Sequence, residues 1–391
     1  MGLRFLSRLP IKRLLAGLAA ALPQVRKVVP SEVHYLDSNK STVQNSPSIF
    51  GDGAMFNRRT FLASAGAMLI SAPTVLRAQT TPIKKLRLVV VANRNHEADG
   101  LMAALCNQMA HSPNLSAPYN VDWPRWPRVQ SNPPAPTRDP GLPRCLIDVF
   151  ASPSPSDTTP AATMEIWCID DLAVTGGNSG KKVTAMQQIT NYTNPASAPD
   201  GVIAFGTAAY PGLPSNDGCA TIGGTIFIHD ASNGAPGSWS WPGYMDTLIP
   251  SKTPASFFSN VSADQKTLVA INSEMIAPQN RPASVLQLII AADAVGISSV
   301  NEAPPYCDAD SNSIVKAQQA GATNITSVET THGVIRSMWD KPFIYVTAIP
   351  NRVCHFPDEA SGIYAQEFPS SHNAGIALKY VIPHFVNAIA P

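Results

Sequence analysis

This chain is poor in the features that define several common protein classes. Charged side chains make up only 14% of its 391 residues and sum to a formal net charge of +1. No basic run follows residue 128, so neither a nucleic-acid groove nor a polybasic membrane surface is indicated. Six cysteines, Cys106, Cys145, Cys168, Cys219, Cys307 and Cys354, include no Cys-x-x-Cys pair, which argues against a zinc ribbon or a thioredoxin-like site. There is no Gly-x-Ser-x-Gly elbow, against a serine hydrolase of the α/β type, and His96-Glu97 lacks the second His of a zinc helix. Gly177 to Lys181 imitates a phosphate loop, but Thr175 and Lys182 stand where such a loop needs Gly and Ser or Thr. No metal site is legible, and nothing calls for an organic cofactor.

What the chain does have is proline, 36 residues of it, which predicts long ordered loops between buried elements. It also carries an export signature inside its length, from Met55 to Gln79. Arg58-Arg59 precedes Phe61-Leu62, and an uncharged, Ala-rich stretch follows from Ala63 to Leu76, with Ala78 just beyond. A paired-Arg region before a weakly hydrophobic core is what the twin-arginine translocase reads. The bland alternative is a short buried helix behind two arginines. The run is too short to anchor the chain stably in a bilayer. An export signal acts at a free N-terminus and Met55 offers a start, so residues 1–54 are expected to be an over-extended or disordered leader. The rival for Leu3 to Leu22 is an amphipathic surface helix, interrupted by Pro10. The product would be periplasmic or secreted, with the translocase as a transient partner. In an oxidising compartment some cysteines would pair; the alternative is that most are small buried hydrophobes.

The remainder, 84–391, is long enough for one large core. Leu86 to Ala92 is a continuous β-branched run, as a strand buried on both faces should be. A loop at 93–96 and a helix over Glu97 to Met109 follow. Residues 112–163 form a Pro-rich insertion whose Trp123 and Trp126 pack on the domain or cover a site. Strands are predicted at Glu165 to Cys168, Leu172 to Thr175, Gly201 to Ala209 and Thr221 to His229, with an amphipathic helix ending at Ile189. Ala263 to Met275 reads as a helix, and Ala283 to Ala292 as helix or strand. Helix Thr330 to Trp339, strand Phe343 to Ile349 and helix Asn373 to Ile389 complete the chain. This alternation predicts an α/β fold, a three-layer arrangement with a central mixed sheet flanked by helices.

Five segments, in order, resemble the nucleoside phosphorylase and nucleosidase superfamily, which includes the purine nucleoside phosphorylases and the methylthioadenosine/adenosylhomocysteine nucleosidases. The opening strand with Glu97 is similar to the family's first strand and its Glu-containing turn. Thr175 to Met186 looks like its Ser-Gly-x-Gly-Lys-x-x-Ala segment, with extra residues. Phe205-Gly206-Thr207-Ala208-Ala209 and the strand to His229-Asp230 are similar to its Gly-Ser/Thr-Ala-Gly-Gly turn and the strand beyond. Val328-Glu329-Thr330-Thr331 resembles the Met-Glu-x-x-Ala segment whose Glu holds the ribose hydroxyls, and Val346 to Val353 the strand with the base-recognition residue. Four departures stand out: Val328 for Met, Ala209 for Gly, Asn351 where many members have Asp, and no Arg before Gly206.

The resemblance implies cleavage of a purine nucleoside's N-glycosidic bond with phosphate as cosubstrate, as in a phosphorylase; the alternatives are water as nucleophile, as in a nucleosidase, or a nucleoside- or base-binding protein that has lost the chemistry. Homo-oligomers are common in the family. Bond breaking puts positive charge on the sugar and negative charge on the base. Glu329 would accept hydrogen bonds from vicinal hydroxyls, or else favour a helix N-terminus. Asn351 would meet the purine edge but cannot transfer a proton as a carboxylic acid can, or else is turn chemistry. Glu97 would activate water or orient the site, with Arg94 and His96 as rim residues. Thr207 with the amides of Gly206 and Ala208 would form a nest for phosphate or water, or else serve close packing. His332, His355 and His372 are expected to be structural or rim histidines.

Overall fold

The computed structural model describes residues 85–106, 129–131, 141–150, 159–172, 178–191, 194, 196–212, 216–229, 246–278, 286–298, 308–359 and 366–391. The expected leader, the export signal, Trp123 and Trp126 lie outside them. In chain order the elements are β1 (Leu86–Ala92), α1 (Asn95–Cys106), β2 (Val129–Ser131), β3 (Cys145–Val149), β4 (Ala162–Cys168), α2 (Asn178–Thr190), β5 (Gly201–Tyr210), β6 (Ala220–His229) and β7 (Thr247–Ile249). Then come α3 (Ala255–Ala263), α4 (Gln265–Glu274), β8 (Leu288–Ile297), α5 (Asp308–Gln319), β9 (Ile325–Glu329), α6 (His332–Ser337), β10 (Phe343–Arg352), α7 (Phe356–Glu359) and α8 (Phe368–Ile389).

The strands form one mixed sheet in the order β2-β3-β4-β1-β5-β9-β8-β6-β10, with β7 on β6. β10 also pairs with β5, so β5, β9, β8, β6 and β10 close into a ring. The α/β architecture with a central mixed sheet flanked by helices is therefore as expected.

β1 explains the layering. Leu88, Val90 and Ala92 pack in one cluster with Leu101 of α1, Phe257 of α3, Ile271 of α4 and Phe385 of α8. Val89 and Val91 pack in another, with Met186 of α2 and Ile335 of α6. Successive side chains of a strand point to opposite faces, so a strand covered on both sides reads as an unbroken apolar run.

Several expected elements differ. The first helix begins at Asn95, so the loop shrinks to Asn93 and Arg94. Leu172 is not in a strand: Ile169–Asp171 is a 3-10 turn, and residues 173–177 lie outside the described ones. The helix expected from Ala263 to Met275 is α4, which starts at Gln265 because the Asp264 carboxylate accepts the Thr267 N–H (3.0 Å) and hydroxyl (2.8 Å), and a separate helix that the sequence reading did not include, α3, ends at Ala263. The ambiguous segment is strand β8. The helix expected at Thr330 starts at His332, and the last helix starts at Phe368, five residues early, with Pro369 in the first turn where its missing N–H costs nothing. The Pro-rich insertion holds two strands, β3 antiparallel to β4 and β2 antiparallel to β3.

Candidate functional site

A cavity of about 270 Å³ opens where β1, β5, β9 and β10 end, close to the lower end of the ~300–1,000 Å³ typical of small-molecule sites. Its walls include Glu97, Gly206, Thr207, Ala208, Val328, Glu329 and Asn351, every residue singled out from sequence as catalytic or substrate-binding. Arg94, His96, His332, Cys354, Phe356 and Glu367 line it as well.

Glu97 sits in the first turn of α1, nearly buried at 4% exposure. Its Oε2 accepts the N–H groups of Asn93 (3.0 Å) and Arg94 (2.8 Å), and its Oε1 accepts the N–H (2.8 Å) and hydroxyl (2.9 Å) of Thr207. Both oxygens are thus engaged by protein donors. The nest expected from Thr207 with the amides of Gly206 and Ala208 falls within β5, which runs through Tyr210, and both the N–H and the hydroxyl of Thr207 are given to Glu97.

Glu329 closes β9 and turns the chain into α6. Its Oε2 accepts the N–H groups of Thr331 and His332 (2.6 Å to the latter), and its Oε1 that of Gly333 at 3.2 Å. The helix-capping alternative is therefore realised, and Oε1 keeps room to accept one further donor from the cavity. Behind this corner the buried Lys182 of α2 donates to the Thr330 carbonyl (2.8 Å) and hydroxyl (2.7 Å). Burial pulls its pKa down to about 8, against the opposing pull of Glu329. Gly333 and Gly296 of β8 touch backbone to backbone: a Cβ on Gly296 would meet the Gly333 Cα at 2.7 Å.

Asn351 reaches the cavity through an irregularity. β10 pairs Ala348 with Thr207 but Asn351 with Ala209, an extra residue at Ile349-Pro350. A bulge tolerates the proline and re-aims the side chain that follows. The Asn351 Nδ2 donates to the Arg352 carbonyl at 2.8 Å.

The remaining expectations divide. Arg94, with its side chain 57% exposed, faces Asp170 at 3.8 Å. His96 Nε2 lies 3.3 Å from Glu367 Oε2, an ion-pair distance without hydrogen-bond geometry. Val328 packs with Phe227 and Val295 while bordering the cavity. His332 is not a rim residue: it is buried at 1% exposure in the cavity wall, its ring stacked on Tyr345 at 5.6 Å and near the Thr347 hydroxyl. The sequence signal for it is slight, a His three residues beyond Glu329. His355 borders a second cavity of about 180 Å³ with Arg352 and Tyr210. His372 is fully buried in α8, with neither ring nitrogen in hydrogen-bond geometry. Cys354 is disulfide-bonded, while Cys145, Cys168 and Cys219 are buried thiols.

No protein-family model matches the chain, and no curated protein matches it. Among solved structures it is similar to a 5′-methylthioadenosine/S-adenosylhomocysteine nucleosidase from Colwellia psychrerythraea in complex with adenine, at 10% identity and TM-score 0.43, covering 78% of this chain and 97% of that one. It is similar to the 5′-methylthioadenosine nucleosidase of Arabidopsis thaliana, at 14% identity and TM-score 0.43 over 78% and 97% of the two chains. The futalosine hydrolase of Helicobacter pylori is a third, at 7% identity and TM-score 0.41 over 76% and 97%. At identities and scores of this size the likeness bears on neither activity nor substrate.

Proposed function

We propose that this chain cleaves the N-glycosidic bond of a purine nucleoside with water as the nucleophile, after export by the twin-arginine route to the periplasm or beyond. The observation that carries the reading is the convergence of Glu97, Thr207, Glu329 and Asn351, from four separate stretches of chain, on one cavity. Glu329 takes a sugar hydroxyl on its remaining acceptor position and faces the positive charge that develops on the sugar. Asn351 offers its amide to the purine edge. No cofactor is required by this scheme.

Water is favoured over phosphate on electrostatic grounds. Glu97, Glu329 and Glu367 all border the cavity, the Thr207 amide is committed to Glu97, and Arg94 is directed at Asp170. A phosphate dianion would enter among these carboxylates and be repelled by them, whereas a neutral water would not. A second reading, binding without turnover, is favoured by one fact: both Glu97 oxygens already accept two donors each.

Incubation of the purified protein with inosine or adenosine, in phosphate-free buffer and with added phosphate, tests these readings. Release of free base at the same rate in both buffers is the expected result. Release only with phosphate would overturn the choice of nucleophile, and tight binding with no release would favour the binding protein.

A further inference from the structure

Gly206 is crowded by two ionisable side chains. A Cβ built there would lie 2.9 Å from Glu97 Oε1 and 3.4 Å from His332 Nε2. The two atoms therefore stand within about 6 Å of each other, so that one water on the cavity side can reach both with hydrogen bonds of about 3 Å. A side chain at 206 would press on the Glu97 carboxylate, and all three residues border the cavity.

Of the two groups, Glu97 is the poorer proton acceptor for such a water, because its Oε1 already receives both the N–H and the hydroxyl of Thr207. His332 is differently placed. The Thr347 Oγ1 lies 3.1 Å from its Nδ1 and 3.4 Å from its Nε2, Tyr345 stacks on the ring, and its main-chain N–H is held by Glu329. With the ring proton on Nδ1 and directed to Thr347, Nε2 presents a lone pair toward Gly206.

We propose that His332 is the general base of the hydrolysis, acting on a water seated over Gly206. The proposal rests on the hydrolytic reading above and assigns its missing proton acceptor. The water oxygen forms a bond to the sugar C1′ and its proton passes to His332 Nε2. The C1′–N bond breaks with its electron pair going to the purine, which is protonated in turn as the imidazolium returns its proton through solvent. The nearby carboxylates of Glu97 and Glu329 offset the positive charge of the imidazolium while it lasts.

The test compares the wild-type protein with His332→Gln and Gly206→Ala on the nucleoside that the wild type cleaves. His332→Gln retains bulk and a hydrogen-bonding partner for Thr347. The expected result is a fall in kcat of about 100-fold or more with KM and thermal midpoint little changed, and partial recovery of His332→Ala by added imidazole. Gly206→Ala, whose methyl group presses on Glu97 Oε1 and narrows the approach to His332 Nε2, should lower kcat likewise. A high-resolution crystal structure of the wild type should hold a water hydrogen-bonded to His332 Nε2 over Gly206. Wild-type kcat in His332→Gln, or a dry Gly206 face in the crystal, would overturn the assignment while leaving the hydrolytic reading intact. A wild type that releases no base would refute both.

Discussion

Thr207 of β5 gives both its main-chain N–H and its hydroxyl to one carboxylate oxygen of Glu97, 110 residues earlier in the chain. The pair fastens the first helix to the strand at the centre of the sheet, at the edge of the cavity. Thr207→Val removes the hydroxyl donor and retains the amide. A hydrogen bond to a charged group contributes about 1.5–3 kcal/mol, so unfolding in urea should show a loss of about 2 kcal/mol. An unchanged midpoint would mean that the hydroxyl contact adds nothing to the amide contact.

Glu329→Gln preserves the shape of the corner between β9 and α6 and removes its charge. If the carboxylate faces the developing sugar cation, base release should fall by about 100-fold, with a smaller effect on substrate affinity. Steady-state kinetics on the best substrate decide this. An unaltered rate would reduce Glu329 to a helix cap.

The His372 imidazole has its pKa lowered to about 4, chiefly by burial, with the Asn373 side chain pulling the other way and Lys379 adding to the depression. A depressed folded-state pKa means that the unfolded chain binds more protons as pH falls, so this contribution to stability is full above about 6.5 and is lost progressively down to about 4. The thermal midpoint should drop across that window, and His372→Leu should flatten the drop. A slope unaffected by the substitution would place the acid sensitivity elsewhere.

Arg144 is buried at 1% exposure beside two buried carboxylates, Asp99 at 3.0 Å and Asp171 at 2.5 Å, and it also donates to Asn95 Oδ1 at 2.8 Å. Removing one member of a buried ionic cluster leaves charge without compensation, at a cost of about 3–5 kcal/mol. Arg144→Met should destabilise the fold by that amount in chemical denaturation. A cost under ~1 kcal/mol would show that the carboxylates find other partners.

Central strands are legible in the sequence because burial on both faces leaves an apolar signature that needs no partner to be recognised. Leu86–Ala92 and Gly201–Tyr210 are of that kind. The edge strands Val129–Ser131 and Cys145–Val149 escape such a reading because they are short and owe their conformation to a neighbour. Asp308–Gln319 escapes it because its apolar positions are few, Ile314 and Ala317 among them, on an otherwise polar helix. The four stretches that meet in the cavity are recognisable through their order. Their hydrogen bonding is not, since the occupancy of Glu97 depends on Thr207 far along the chain and that of Glu329 on the exact turn into α6. The place of His332 is hidden for the same reason: Thr347, Tyr345 and Gly206 come beside it only when β5 and β10 pair.

That pairing also bears on how the molecule comes into being. Phe343–Arg352 is the last of the described strands to leave the ribosome, yet it lies between β5 and β6, both made much earlier. A nascent chain ending before Phe343 has an open set of strands and no place for Asn351. The cavity wall is therefore complete only once Phe343–Arg352 has been made, and a truncated product that retains all the earlier described strands would still lack it.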